Sequence, residues 1–286
     1  MRKAAVLVAA VCVGAGCLDP LPTRDSLFVL IGAGDIASCA SLGDEETASR
    51  LDEEDGQVFT LGDNAYPHGS PTDYSNCYEP TWGRHRWRTR PTPGNHEYET
   101  DAGMPYFTYF GTMAGPWGRG YYSYELGTWH IVVLNSSDDI SVGSPEEQWL
   151  RADLAAHRAF CTLAMWHHPW FSSGNYGREM NLRPLWQALY EAGAEIILNG
   201  HEHFYERFAP QTPDGELDPA HGIREFIVGT GGNGHNLFGT IAAHSEKRNR
   251  DTYGLLKLTL FDGSYTWEFL AVQGGTFFDH GTGACH

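Results

Sequence analysis

The sequence predicts an α/β architecture with a core of two mixed β-sheets. Short apolar runs typical of buried strands alternate with segments typical of helices. Several of these runs end at a glycine or proline beside a polar side chain. Two hairpin-like pairs add antiparallel strands, and neither a fixed-period repeat nor a low-complexity linker interrupts the pattern.

The strand-like segments occur along the whole chain. Most are rich in Val, Ile, Leu, Phe or Tyr and are bounded by turn-forming residues. Two are hairpins, with predicted turns at Gly127-Thr128 and Asp262-Gly263. In chain order the segments are LFVLIGAG (27–34), QVFTLGD (57–63), YYSYELGTWHIVVLNS (121–136), CTLAMWHHP (161–169), AEIILNGHEH (194–203), REFIVGTGG (224–232) and YGLLKLTLFDGSYTWEFLAV (253–272).

Helices are predicted between these strands. The clearest start is SPEEQWLRADLAAH, with Ser144 as N-cap, Pro145 at the first position and Glu147 at the third. A second helix is expected to stop at Gly193. The predicted helices cover residues 45–54, 144–157 and 181–193, and long turn-rich loops are predicted for residues 101–120 and 209–222.

The charge balance limits the possible partners. The formal net charge is -17, and no block of Lys or Arg occurs. Binding to a nucleic-acid duplex needs clustered cations, so bulk nucleic-acid binding is not expected. Small phosphorylated substrates remain compatible with this charge because a bound metal ion can dominate the local field.

The N-terminal segment predicts export. Arg2 and Lys3 precede a short apolar run, which is typical of a signal peptide over residues 1–17 followed by a linker at 18–26. The run ends in GAGC and resembles a bacterial lipoprotein processing site, with Cys17 as the lipidated residue and a possible membrane anchor. An ordinary cleaved signal peptide is the alternative, since Gly14 replaces the usual Leu-like residue. Either prediction leads to the bacterial periplasm, the outer membrane or secretion.

Four cysteines remain after the signal: Cys39, Cys77, Cys161 and Cys285. An even number in an exported chain indicates disulfides, because such bonds persist in oxidising compartments. None of the four has CxxC spacing, which argues against a zinc ribbon. Three pairings are possible, and composition does not choose among them.

Metal-capable side chains follow several of the predicted strands. Taken singly, each has an ordinary interpretation as a turn former, a helix cap or a partly buried histidine. Together they mix oxygen donors with imidazoles, which suits first-row metals better than calcium. Seven ligands also suit two ions better than one, with Asp63 as the natural bridging carboxylate. The candidate ligands are Asp35, Asp63, Tyr66, Asn95, His167, His201 and His203.

Five motifs in order, GDIA, GDNAY, GNHE, the His of MWHHP and GHEH, resemble the metallophosphoesterase (calcineurin-like) superfamily. The Tyr three positions after the second Asp resembles its purple acid phosphatase branch. The resemblance extends over residues 27–286, which are expected to form a single catalytic domain. It implies a four-layer fold, with two packed mixed β-sheets flanked by α-helices.

The resemblance also implies a division of the ligands. The first metal would be bound by Asp35, Asp63, Tyr66 and His203, and the second by Asp63, Asn95, His167 and His201. Iron is expected at the Tyr66 site, and iron, zinc or manganese at the other. His96 would contact the substrate phosphate as the catalytic residue that is not a ligand.

The implied activity is hydrolysis of small phosphate esters, as in acid phosphatases, with monoesters expected ahead of diesters. Hydroxide bound by the metals would attack phosphorus. A phosphodiesterase on the same scaffold is one alternative. A lipid-anchored surface protein with a non-catalytic metal site is the alternative from another class.

Three features depart from the family pattern. Ala37 replaces the Gly expected two positions after Asp35, and His168 competes with His167 as the ligand of the HHP motif. The following segment lacks the His expected to protonate the leaving group, which leaves the general acid open. Asn175, Tyr176 and Arg178 occupy that segment.

The shared metal site leads to a disulfide prediction. Cys39 follows Asp35 by four residues and Cys77 follows Asp63 by fourteen. If both carboxylates bind one site, the loops carrying these cysteines are neighbours. We therefore expect a Cys39–Cys77 bond and, by remainder, a Cys161–Cys285 bond.

Overall fold

The computed structural model describes residues 27–175 and 181–286. The predicted signal peptide with Cys17, the linker, and residues Tyr176 and Arg178 lie outside the described residues. Over the described ranges, none of the helices combines the length and the apolar character needed to cross a bilayer.

Thirteen strands make up the described sheets. They are β1 Phe28–Ala33, β2 Gln57–Thr60, β3 Thr89–Arg90, β4 Tyr122–Leu126, β5 Trp129–Val133, β6 Cys161–Met165, β7 Ile196–Asn199, β8 Tyr205–Phe208, β9 Arg224–Val228, β10 Ser245–Asn249, β11 Gly254–Phe261, β12 Ser264–Ala271 and β13 His280–Ala284. The first sheet has the order β13-β12-β11-β1-β2-β3, and the second has the order β10-β8-β9-β7-β6-β5-β4.

Both sheets are mixed, as predicted. In the first, β1, β2 and β3 run parallel, and β11, β12 and β13 continue the sheet with antiparallel pairing. In the second, β5, β6, β7 and β9 are parallel, while β4, β8 and β10 pair antiparallel at the two sides. The predicted hairpin turns are present between β4 and β5 and between β11 and β12.

Five α-helical segments accompany the sheets within residues 27–175 and 181–286: α1 Gly43–Asp52, α2 Pro71–Asp73, α3 Met104–Phe110, α4 Pro145–Ala156 and α5 Arg183–Glu191. A π-helical turn spans Tyr74–Tyr78, and 3₁₀ turns span Trp82–Arg88, His96–Glu99, Asp101–Gly103 and Gly111–Ala114. Helix α4 begins where the capping pattern predicts, with the Ser144 hydroxyl accepting the Glu147 N–H at 3.2 Å.

The two sheets pack face to face, and helices cover the second sheet from outside. Successive residues of a strand point to opposite faces. Leu163 and Met165 of β6 therefore face the other sheet, whereas Ala164 joins the cluster that contains the apolar residues of α4 and α5. Aromatic pairs cross between the sheets, including Tyr205 and Phe269 with ring centroids 4.8 Å apart. This arrangement confirms the predicted fold class.

The region 101–120 differs from its prediction. The sequence predicts a loop there, but the region contains the two-turn helix α3. Pro105 occupies the first turn, where its missing N–H is tolerated, and Tyr106, Phe107 and Phe110 are buried. Aromatic burial therefore outweighs the turn-forming glycines around it.

Both predicted disulfides are present in the structure. Cys39 bonds Cys77 with a Cα–Cα distance of 5.0 Å, and Cys161 bonds Cys285 with a Cα–Cα distance of 5.6 Å. The second bond joins β6 to the end of the chain, 124 residues away in sequence. The first supports the premise behind the pairing, which is that the loops after Asp35 and Asp63 are neighbours.

Candidate dinuclear metal centre

The backbone brings four predicted ligands together at the carboxyl ends of parallel strands. Asp35 and Asp63 follow β1 and β2, and the Asp35 N–H donates to the Gly62 carbonyl at 3.1 Å. His167 and His201 follow β6 and β7 of the other sheet in the same way. The His201 N–H donates to Asp35 Oδ2 at 2.8 Å, which joins the two pairs across the sheets. Crevices beyond such strand ends are the usual ligand sites of open α/β sheets.

The first group of donor atoms surrounds the Tyr66 hydroxyl. This oxygen lies 3.0 Å from Asp35 Oδ1, 2.9 Å from Asp63 Oδ2 and 3.2 Å from His203 Nε2. A phenol has one proton and can donate it to only one carboxylate. The other close oxygen pair is therefore unfavourable unless a cation lies among these atoms.

The second group surrounds His167 Nε2. This nitrogen lies 3.1 Å from Asn95 Oδ1, 3.3 Å from Asp63 Oδ2 and 3.2 Å from His201 Nδ1. The other ring nitrogen, His167 Nδ1, lies 2.7 Å from the Leu61 carbonyl and so carries the proton. Nε2 therefore has its lone pair directed at the other donors, as in metal-bound histidines.

The two groups share one atom, Asp63 Oδ2. Ligands about 2.0–2.1 Å from a first-row ion are about 3 Å apart at adjacent positions of an octahedron. The separations of 2.9 to 3.3 Å around Tyr66 and His167 have that size. The residues present thus fit two metal ions with Asp63 between them.

The electrostatics of the site favour bound cations. Burial alone would raise the pKa of Asp63, but the charge and hydrogen bond of His167, together with His96, lower it well below its usual range. Burial likewise opposes charge on His167, yet Asp63 raises the pKa of this imidazole to about 9. Burial and His167 lower the pKa of His201 to about 4, which leaves a neutral imidazole available to a metal. The buried carboxylates thus draw positive charge into the site.

Three candidate ligands have strained backbones. Asp35, Asp63 and His201 have φ values of 59°, 48° and 69°, in the left-handed region that side chains other than glycine rarely adopt. Such strain costs on the order of 1–3 kcal/mol per residue and concentrates at functional sites. Close packing also restricts the residue type at position 94, because the Cβ of any residue other than Gly94 would lie 2.2 Å from Asp63 Oδ1.

His96 lies beside the first group without joining it. Its Nδ1 donates to the Pro67 carbonyl at 2.5 Å, and its Nε2 is 3.7 Å from Asp63 Oδ2. Its ring packs on the Tyr66 ring with centroids 4.6 Å apart. The backbone N–H of His96 donates to Asp63 Oδ1 at 3.0 Å, so the same residue also orients the shared carboxylate.

The sequence profile of the calcineurin-like phosphoesterase family matches residues 33–205, more than half of the chain. The chain belongs to this family. The matched range contains every predicted metal ligand, from Asp35 to His203.

The curated relatives of this calcineurin-like phosphoesterase include purple acid phosphatases. Purple acid phosphatase 15 of Arabidopsis thaliana is 30% identical over 62% of this chain and 40% of its own length. Purple acid phosphatase 23 of the same plant is 30% identical over 75% of this chain and 55% of its own length. The chain therefore spans about half the length of these relatives.

A solved structure supports the fold. The purple acid phosphatase from yellow lupin (Lupinus luteus) seeds superposes with a TM-score of 0.76 at 20% sequence identity. The match covers 93% of this chain and 55% of that chain.

His168, the competing choice in the HHP motif, lies beside the second group of donors. Its Nδ1 is 2.8 Å from the Ser136 hydroxyl, and its ring centroid is 4.3 Å from that of His201. Burial, with help from His167 and His201, lowers the pKa of His168 to about 2, so the ring is neutral. Asn175 is at the surface and packs against Gly239.

Glu97 is a residue that the sequence analysis did not single out in this calcineurin-like phosphoesterase. It is fully buried, and its carboxylate accepts the backbone N–H groups of Gly94 at 2.7 Å and of Asp63 and Asn64 at 2.9 Å each. These hydrogen bonds join the loop of the GDNAY motif to the loop of the GNHE motif. In the sequence, the only indication of a role for Glu97 is its position directly after the Asn95-His96 pair.

Replacing Glu97 with alanine is expected to lower the free energy of unfolding by about 3–5 kcal/mol. Three buried N–H groups would lose their acceptor, and each orphaned group costs about 1–3 kcal/mol. Urea denaturation of the variant measures this loss. Glu99→Ala is the matched control, since its side chain is 42% exposed and its ion pair with His68 is a surface contact. Equal stability losses in both variants would show that Glu97 does not join the loops.

Proposed function

We propose that this protein hydrolyses phosphate esters with two metal ions, acting first on monoesters. The observation that carries the proposal is Asp63 Oδ2, which lies 2.9 Å from Tyr66 and 3.3 Å from His167 and so belongs to both groups of donors. When bound, the two ions would supply Lewis-acid charge for the phosphoryl oxygens and would lower the pKa of bound water.

The chain's own residues would position these ions. The first ion would be held by Asp35, Asp63, Tyr66 and His203, and the second by Asp63, Asn95, His167 and His201. The His201 N–H holds Asp35 Oδ2, which leaves Oδ1 for the first ion. The Leu61 carbonyl sets the tautomer of His167 for the second. Fixed ligand orientation of this kind strengthens metal binding.

His96 would move or share a proton at the substrate. Its Nδ1–H is committed to the Pro67 carbonyl, so Nε2 is the atom available to the substrate. Nε2 lies 3.7 Å from Asp63 Oδ2, close to the ions without being a ligand. A protonated Nε2 would donate to a phosphoryl oxygen or to the leaving group, a contribution of about 10²–10⁴-fold.

Iron is proposed for the site that contains Tyr66. Burial, Asp35 and Asp63 raise the pKa of Tyr66 well above its usual value. Only a strongly Lewis-acidic ion would therefore keep the phenol ionised at mild pH, and ferric iron does this better than zinc. Iron, zinc or manganese is proposed for the second site, whose donors include two imidazoles.

Substrate class is tested by comparing two esters. The relatives named as purple acid phosphatases support the monoester assignment. Protein containing both ions should hydrolyse p-nitrophenyl phosphate with a kcat/KM at least 10-fold above that for bis(p-nitrophenyl) phosphate, a margin of about 1.4 kcal/mol. A higher kcat/KM for bis(p-nitrophenyl) phosphate than for p-nitrophenyl phosphate would make the protein a phosphodiesterase. No turnover of either ester by protein with two bound ions would contradict the hydrolase proposal.

Export is also part of the proposal. The two disulfides support an oxidising compartment, because such bonds are rare in reducing cytosol. Lipid attachment at Cys17 remains a prediction, and intact-mass measurement of membrane-extracted protein tests it. The mass of a chain whose first residue is residue 18 or later would contradict lipid attachment at Cys17.

A further inference from the structure

A second cluster of metal-capable side chains lies outside the candidate centre. Glu125 is on β4, His130 is its direct partner on β5, and Asp153 and His157 are at the end of α4. His130 pairs with Thr162 of β6, five residues before His167, which corresponds to about 16 Å along a strand. The cluster therefore lies toward the opposite end of the sheet from the dinuclear centre.

The polar atoms of this cluster converge. His130 Nε2 is 2.8 Å from Asp153 Oδ2, and His157 Nδ1 is 3.2 Å from Asp153 Oδ1. One donor atom from each of these three residues lies within 4.8 Å of the other two. Asp153 is in the last turn of α4, and His157 is the residue that directly follows the helix.

The remaining carboxylate orients the buried histidine. Glu125 Oε1 is 2.8 Å from His130 Nδ1, so an Nδ1–H can donate a hydrogen bond to Glu125. In that tautomer the lone pair of Nε2, which lies 2.8 Å from Asp153 Oδ2, is the one that an ion would take. A carboxylate on one nitrogen and an ion on the other is the usual arrangement around metal-bound histidine. The Ser123 hydroxyl donates to Asp153 Oδ1 at 2.8 Å and fixes this carboxylate as well.

One histidine of the cluster is buried and the other is exposed, which gives an ion a route in from solvent. His130 is fully buried, whereas the His157 side chain is 48% exposed. The rings of the two histidines stack with centroids 4.9 Å apart, and His157 Nδ1 lies 3.0 Å from the Asp153 carbonyl. The exposed His157 side chain must therefore turn to release this nitrogen for an ion. The rest of the cluster is already arranged.

We propose that this cluster is a mononuclear metal site that binds Zn²⁺. His130 Nε2, Asp153 and His157 Nδ1 are the three ligands, and Glu125 is a positioning residue. Two imidazoles and one carboxylate match zinc sites that keep a fourth position for water. The ion would tie the β4–β5 hairpin to the end of α4, and this site is independent of the proposed phosphatase activity.

Protons compete with the ion for His130. Burial alone would lower the pKa of His130, but the hydrogen bonds of Asp153 and Glu125 outweigh burial and raise it. The imidazolium held between two carboxylates is therefore the metal-free alternative at low pH. Because metal binding must displace this proton, the binding experiment is done at pH 8.

The experiment measures zinc uptake by the intact protein with its resident metals. Wild type and His157→Ala are dialysed together against micromolar free Zn²⁺ at pH 8, and bound metals are counted by mass spectrometry. The wild type is expected to bind one Zn²⁺ more per chain than His157→Ala. Glu125→Gln is expected to bind this extra ion 10- to 100-fold more weakly, the usual effect of removing an orienting carboxylate.

A matched histidine serves as the control. His280 is exposed on β13 of the other sheet, and His280→Ala should retain the full wild-type zinc content. Equal zinc content in wild type and His157→Ala would overturn the proposal. A loss in His280→Ala as large as that in His157→Ala would overturn it too, because the uptake would then be nonspecific.

Discussion

Replacing Asp63 with asparagine is expected to lower kcat by more than about 10³-fold and to reduce the bound metal from two ions to one or none. Its Oδ2 lies within 3.3 Å of both Tyr66 and His167, so one substitution removes a charged ligand from both proposed sites. Loss of a single transition-state donor costs about 10²–10³-fold, and loss of an ion should cost more. Metal analysis and steady-state kinetics on the same sample measure both effects.

Asp44→Asn is the matched control for this substitution. Asp44 is also buried, and it accepts a hydrogen bond from the Thr81 hydroxyl at 3.0 Å, outside the candidate metal centre. Burial raises the pKa of Asp44 to about 7, so the neutral amide resembles its protonated form. Metal content and kcat should stay close to wild type. Full activity with two ions in Asp63→Asn would show that Asp63 does not bridge the ions.

The second large effect is expected at His96. His96→Ala should lower kcat by at least about 10²-fold and leave two ions per chain, because the imidazole is proposed to act on the substrate and not to bind an ion. The backbone N–H that holds Asp63 Oδ1 at 3.0 Å remains in the variant. Asp63 should therefore keep its orientation.

A neighbouring histidine separates this effect from general disturbance of the loop. His68 is 63% exposed and pairs with Glu99 at 2.6 Å on the same surface. His68→Ala should retain near wild-type kcat. If His96→Ala instead contained one ion or none, His96 would be a ligand and its proposed role would be wrong.

Much of the fold was predictable because local patterns agreed with the packing. The alternating residues Leu163, Ala164 and Met165 face opposite layers, which is the arrangement of a strand buried on both sides. The cap at Ser144 and the turn at Gly127 depend on neighbouring residues alone. The proximity of candidate ligands that directly follow such strands could therefore be predicted from sequence order.

Other features depend on contacts between distant residues. Strand β10 has the polar sequence SEKRN and forms through pairing with β8, which its own composition does not indicate. Glu97 bonds Asp63 and Asn64 across 34 and 33 positions. His130 and Asp153 are 23 residues apart and meet only because α4 packs against the hairpin. No local pattern encodes these pairs.

The measurement that tests the central claim most directly is the visible spectrum of iron-loaded protein with its metal content. The account places Tyr66 on one of two ions that share Asp63, since its hydroxyl is 3.0 Å from Asp35 and 2.9 Å from Asp63. Wild type should contain two ions per chain and absorb broadly in the visible. Tyr66→Phe should keep both ions, because Asp35, Asp63 and His203 remain, and should lose the band with only a moderate fall in kcat. A colourless wild type with two ions, or an unchanged band in Tyr66→Phe, would contradict the account.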